Sequence, residues 1–296
     1  MRRWAAALAC ALALGAPALG AGGCATDRPE GVDGDLTNGW RPMPAAAPFR
    51  PQAGACHAEI VETGTAENYE PVACTAAHLA ETVAVADLAA AGPLKSPKDG
   101  MAKAFATCSQ KASAFLGGDW RTGWVVLQPV LPSAKAWTGG AHWVRCDVAE
   151  SSPIDGTLVR RTGSMKGTVK AGGKLRMACA NPKIAGESVA EMHPVACAST
   201  HTAEFAGLFS TAKAASSDLS EAELAKGCDA AIAKFTGLRD DATLPSRIGW
   251  LGFPPDDTAW RMGDRAVRCF LWLNGEKMKG SYRGAGPGKL KIHYAN

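Results

Sequence analysis

Eight cysteines, arranged as two sets of four, constrain this chain more than any other feature. They are Cys56, Cys74, Cys108 and Cys146, then Cys179, Cys197, Cys228 and Cys269. The steps are 18, 34 and 38 residues in the first set and 18, 31 and 41 in the second. From second to fourth cysteine the distance is 72 residues in both. The flanking residues repeat as well. Pro71-Val72-Ala73-Cys74, with His78 and Ala80-Glu81 behind it, matches Pro194-Val195-Ala196-Cys197, with His201 and Ala203-Glu204. Cys108, Phe115 and Gly117 match Cys228, Phe235 and Gly237. Trp137, Gly140 and Val144-Arg145-Cys146 match Trp260, Gly263 and Val267-Arg268-Cys269. Gly163-Ser164-Met165-Lys166-Gly167 matches Gly280-Ser281-Tyr282-Arg283-Gly284. Features in the same order at similar spacing predict two homologous domains, residues 55–171 and 172–296. With 47% apolar residues, 296 residues suffice for two modest cores.

The start of the chain predicts export. Met1-Arg2-Arg3 is a short positive segment, and the Ala/Leu-rich run that follows is shorter than a membrane span needs. It ends at Ala21-Gly22-Gly23-Cys24, which resembles a lipoprotein box, though a larger aliphatic residue is usual where Ala21 stands. The expectation is a signal peptide over residues 1–23 and a lipid on Cys24, with ordinary signal-peptidase cleavage and secretion as the alternative. Residues 24–54, rich in Pro, Gly, Ala and Asp, are expected to form a flexible tether.

Cys10 leaves with the leader. The eight remaining cysteines, an even number in an exported chain, predict disulfides. The constant 18-residue step favours Cys56–Cys74 with Cys108–Cys146, and Cys179–Cys197 with Cys228–Cys269. Pairing first with fourth and second with third stays open. Without Arg2 and Arg3, basic residues exceed acidic ones by two, and the charges are interspersed. That balance predicts no nucleic-acid partner.

Within one copy, the alternation of residues 81–88 predicts a strand, and further strands are expected at 58–61, 123–128 and 141–148. Ser96-Pro97 predicts a helix start, and Gly117-Gly118 its end. Ser220 to Glu223 starts the equivalent helix with a capping-box pattern. The fold class is therefore α+β: two homologous small domains, each a mostly antiparallel sheet with one main helix and two disulfides.

These motifs together resemble the actinobacterial septum-formation-related domain, over residues 55–296. The second copy is the closer match, with Pro255, Trp260, Gly263, Asp264, Arg265 and Cys269 in place. The first copy has Ala141-His142 where the second has Asp264-Arg265, so the Asp-Arg pair belongs to the second copy alone. The resemblance implies an extracytoplasmic, often membrane-attached protein connected with cell division. It carries no enzymatic activity or binding residue with it.

The candidate binding residues are His78, Glu81, Trp137, His201, Glu204, Trp260, Asp264 and Arg265. The His/Glu pairs have spacings seen in metal and acid/base sites. Along a strand, however, side chains three apart point to opposite faces. The structural alternative is a His bonded to the turn beside a disulfide, with Glu facing solvent. The two tryptophans are either core packing or a recognition platform. No G-x-S-x-G, no H-E-x-x-H and no placeable pair of carboxylates is present. The expectation is a non-enzymatic envelope protein without cofactor or metal. Its partners would be the membrane, through the anchor, and envelope or division proteins or a cell-wall polymer. The competing expectation is an enzyme acting on wall or surface polymers through the His/Glu or Asp/Arg residues.

Overall fold

The computed structural model describes residues 48–88 and 97–292. The leader, Cys24, most of the tether and the Ser96 cap lie outside the described residues. The N-terminal half contains β1 (Cys56–His57), β2 (Thr63–Gly64), β3 (Pro71–Val72), β4 (Ala80–Asp87), α1 (Pro97–Leu116), β5 (Val125–Pro132), α2 (Ala134–Thr138), β6 (Trp143–Ser151) and β7 (Leu158–Val159). The C-terminal half contains β8 (Cys179–Ala185), β9 (Ser188–Val195), β10 (Ala203–Ser210), α3 (Glu221–Thr236), β11 (Gly249–Phe253), α4 (Asp257–Met262), β12 (Ala266–Trp272) and α5 (Gly286–Lys289).

The two sheets share one order. The first runs β5-β6-β4-β1-β3 and the second β11-β12-β10-β8-β9, antiparallel throughout. The first sheet adds β2, parallel to β5, and β7, beside β6. The register agrees too: Thr82 faces Asp147 as Phe205 faces Phe270, and each sheet is bulged just after that pair. The α+β class expected from the sequence is the architecture found.

One long helix packs on each sheet. α1 buries Ala104, Phe105, Cys108, Ala112 and Leu116. α3 buries Cys228, Ile232, Ala233 and Phe235. These positions fall on one face at the three-to-four spacing of a helix. Ser220 accepts from the Glu223 amide at 3.3 Å, and the Glu223 carboxylate accepts back from the Ser220 amide at 3.1 Å. The capping box is thus formed in both directions. Among the described residues, no helix is long and apolar enough to cross a membrane.

The disulfides are Cys56–Cys74, Cys108–Cys146, Cys179–Cys197 and Cys228–Cys269. The second of each pair ties helix to sheet. The alternative first-to-fourth pairing is not adopted. Four bridges fit an oxidising compartment.

Two local expectations are corrected. The first strand sits at Cys56–His57, before residues 58–61, because the chain needs only two residues there to lie between β3 and β4. The end of the expected tether is docked, not free. Pro51 is buried, and Phe49 packs its ring against Tyr69 and Trp143. The Phe49 carbonyl accepts from Trp143 Nε1 at 3.0 Å.

The halves pack against each other through the turn at Trp120–Thr122 and the end of α4. Arg121 Nε donates to Asp264 Oδ1 at 2.7 Å, and Arg268 Nε donates to the Arg121 carbonyl at 2.9 Å. Gly263 ends α4 at a φ of +113°, a conformation costly for other residues, and Phe105 of α1 lies beside it. The short join at 171–173 therefore leads into direct contact.

Candidate functional site

Glu81 and Glu204 are each 4% exposed, contrary to the solvent-facing position expected for the structural reading. Each carboxylate holds the glycine-flanked motif near the end of its half. Glu81 Oε1 accepts from Ser164 Oγ at 2.7 Å and Oε2 from the Met165 amide at 2.7 Å. Glu204 accepts from Ser281 Oγ and from the Tyr282 amide in the same way. The glycines on either side complete the attachment. Gly163 and Gly280 donate to the carbonyls of Cys74 and Cys197 at 2.7 and 2.8 Å. Gly167 and Gly284 donate to the carbonyls of Phe115 and Phe235 at 3.0 and 2.9 Å, at the ends of α1 and α3. Disulfide loop, sheet and helix end thus converge on one five-residue turn. The leading glycine takes φ of +80° and +73° in the two halves, which explains why the motif begins with glycine.

His78 and His201 are fully buried. Their Nδ1 atoms bond the carbonyls of Ala76 and Ser199 at 2.8 and 2.9 Å, so each imidazole closes the turn after its cysteine. Their backbones bridge to Arg161 and Met278. Nε2 of both has no hydrogen-bond partner. The two histidines are thus part of the packed interior, apart from the carboxylates that bind the Ser turns. Glu81 does lie close to Cys56 and Cys74, as Glu204 does to Cys179 and Cys197. All four sulfurs are in disulfides, and the thiolate is the form that binds metal.

Trp260 is 3% exposed, donates Nε1 to the Ala214 carbonyl at 3.0 Å and carries the Arg265 guanidinium on its ring at 4.7 Å. Trp137 is partly buried against the α1 core, with the His142 ring at 4.8 Å in the place of that guanidinium. Core packing is therefore the role of Trp260 and most of that of Trp137. Asp264 and Arg265 do not pair with each other's side chains. Asp264 binds Arg121 across the halves, while Arg265 donates to the carbonyls of Lys213, Trp260 and Asp264.

Two features have no counterpart among the candidates read from sequence. The first lies on the face of the N-terminal sheet away from α1. There His57 Nε2 bonds Thr82 Oγ1 at 3.0 Å, and Thr82 Oγ1 donates to Asp147 Oδ1 at 2.7 Å. Arg145 donates Nε and Nη2 to Asp147 Oδ2 at 2.9 and 2.7 Å. Arg145 is 2% exposed and Asp147 not at all. Burial raises the Asp147 carboxyl above its usual range, against the pull of Arg145 and the Thr82 hydroxyl. Burial, with Arg145 and His78 nearby, lowers His57 from 6.5 to about 4. Thr82 is sealed from solvent, so this Thr-His-Asp series has no access for a substrate.

The second is a cleft of about 530 Å³ lined by both halves. Trp124, Leu127 and Ile154 come from one half, and Met192, Phe253 and Phe270 from the other. Arg268 is its one basic lining residue.

The model of the family described as septum formation matches residues 53–269. The chain belongs to this family. The match runs through both halves, including all eight paired cysteines, the Glu81 and Glu204 carboxylates and the cleft lining as far as Arg268. The septum-formation assignment links the protein to that process. No curated protein and no solved structure matches the chain.

Proposed function

We propose that this septum-formation family member is a non-catalytic binding or scaffolding protein of the cell envelope. It works outside the cytoplasm, held at the outer face of the membrane by a lipid on Cys24, as two tandem copies of one domain. Its partners are envelope or division proteins or a wall polymer. The observation that carries the reading is the fate of the best chemical candidates. In both halves the His and Glu of the shared motif are buried in matched structural hydrogen bonds, as a build element would be. Family membership supplies the link to septum formation, and four disulfides favour an exported location.

The test uses the full chain carrying a tag at residue 296, in cells lacking the untagged copy. Enrichment at division sites, with misplaced or delayed septa on depletion, is the expected result. Uniform distribution with normal septa would overturn the septal role. Mass spectrometry of the mature protein is expected to find an acylated Cys24 at the new N-terminus, and an unmodified Cys24 or cleavage elsewhere removes the anchor.

A further inference from the structure

We propose that the cleft between the two halves binds an amphipathic organic anion, a single carboxylate on an apolar body, with Arg268 as the partner of the carboxylate. A volume of about 530 Å³ lies in the range of small-molecule sites, which form preferentially between domains. The wall is aromatic and aliphatic. Phe270 packs its ring against Phe205, Phe253 and Trp124, with centroids 5.3 to 6.5 Å apart. Ile154, at the lip, is one of three large apolar side chains left exposed among the described residues.

The charges decide the ligand. Four acidic residues line the cleft, and each has local partners. Asp155 accepts from Thr157, Asp256 caps α4, Glu191 pairs with Lys183 and His193, and Asp264 pairs with Arg121. Asp155 and Asp256 are exposed on the lip, where water screens them. Arg268 stands otherwise. Its Nε is bonded to the Arg121 carbonyl, but among the described residues its Nη atoms have no acceptor and no carboxylate within 4.0 Å. Its guanidinium lies 6.0 Å from the Trp120 ring centroid, and burial lowers its pKa against the more distant pull of Asp264, so the cation is partly stripped of water without a carboxylate in contact. Such a guanidinium binds a carboxylate more strongly than a neutral acceptor.

The N-terminal half supplies an internal control. Arg145 occupies the position of Arg268, one residue before the cysteine bonded to the helix. It is fully engaged by Asp147, two residues on. In the C-terminal half that residue is Phe270, so the arginine is kept and its carboxylate is replaced by cleft wall. A ligand carboxylate would restore the missing half of the pair.

This deepens the binding role proposed above by naming the ligand class, and it is tested on purified protein so that the two can fail separately. Naphthoate and naphthamide serve as matched probes, read through carbon-13 methionine methyl signals. Naphthoate is expected to shift Met177 and Met192 saturably while leaving Met165 and Met278, outside the cleft, unmoved. It should bind about tenfold more tightly than the amide, a difference of about 1.4 kcal/mol. Arg268→Met should bring the acid down to the level of the amide. No saturable binding, equal binding of acid and amide, shifts at Met165 or Met278, or a preference that survives Arg268→Met would each overturn the proposal. If Arg268→Met does not fold, the acid–amide comparison in the unaltered protein decides alone. A protein that binds naphthoate as stated but shows no enrichment at septa would remove the septal reading and leave the cleft.

Discussion

The outer faces of the two sheets are built on the same register and filled by opposite chemistry. His57, Thr82 and Asp147 of the N-terminal half stand where Ala180, Phe205 and Phe270 stand in the C-terminal half. The first set makes a chain of hydrogen bonds ending on a buried arginine, covered by Tyr69 and Phe49. The second set makes an aromatic wall that opens into a cleft. The helix-facing sides, by contrast, are nearly interchangeable, each with a disulfide among small and aliphatic residues. The two halves thus share their inner packing and their Glu-bound turn, while the outer face is a closed polar interior in one and an open apolar wall in the other. Two sheets of one topology can differ in this way because the alternation of a strand separates the two faces.

The strongest test of this contrast is Asp147→Asn. Arg145 would be left buried without its anion, and removing one partner of such a pair costs about 3–5 kcal/mol. Urea unfolding with the disulfides intact should show that loss, and a change below 1 kcal/mol would mean the pair does not hold the face together.

Next in size is a pH effect confined to the N-terminal half. His57 is lowered from 6.5 to about 4, so between those values the folded protein binds fewer protons than the unfolded chain. The stability from this group is complete above pH 6.5 and falls as the solution is acidified. About 3 kcal/mol is gone by pH 4. Asp147 works in the opposite direction, since burial raises its carboxyl. His57→Ala, which copies the residue at the matching C-terminal position, should flatten the acid limb. An unchanged pH profile would show that His57 titrates freely.

Glu81→Ala and Glu204→Ala should each cost about 1.5–3 kcal/mol, because each strands a serine and an amide bonded to a charged group. The two should agree, as the clamp is common to both halves. Unequal effects would break the equivalence at its most similar point. The smallest effect should be that of Arg268→Met on stability, about 1 kcal/mol, since only one bond to a neutral carbonyl is lost. Arg145 and Arg268 would then differ severalfold in structural weight despite identical positions.

Much of the scaffold was legible in the sequence because its signals are local. The 18-residue cysteine step, Pro97, the Ser220 capping box and the alternation of residues 81–88 all act over short distances. The 18-residue step also suits the β8–β9 hairpin closed by Cys179 and Cys197, but the length of its strands was not legible, since Pro182 and Pro194 lie within them and proline argues against a strand. The burial of Glu81 and Glu204 was also hidden. Their partners lie 83 and 77 residues away and meet them only after the sheet has formed. Arg121 and Asp264 are 143 residues apart and carry no shared motif. Arg145 and Arg268 look alike in the sequence. Only the identity of Asp147 against Phe270, read on the outer face, separates a satisfied cation from an available one.

The docking of Phe49 has a mechanical consequence. A pull on the chain ahead of Pro48 is met first by the Phe49 ring and carbonyl on Trp143, at the start of β6. If that contact yields, the load meets buried Pro51, the Gln52 amide on the Tyr69 hydroxyl and the Gly54 amide on the Thr82 carbonyl before it reaches Cys56, which is covalently fastened to Cys74 and paired within the sheet between β3 and β4. The described chain from Phe49 to Cys56 is thus fastened in series, by an aromatic cluster, then by backbone bonds to the sheet, and last by the first disulfide, so a load applied ahead of it is spread over several contacts before it reaches the covalent one.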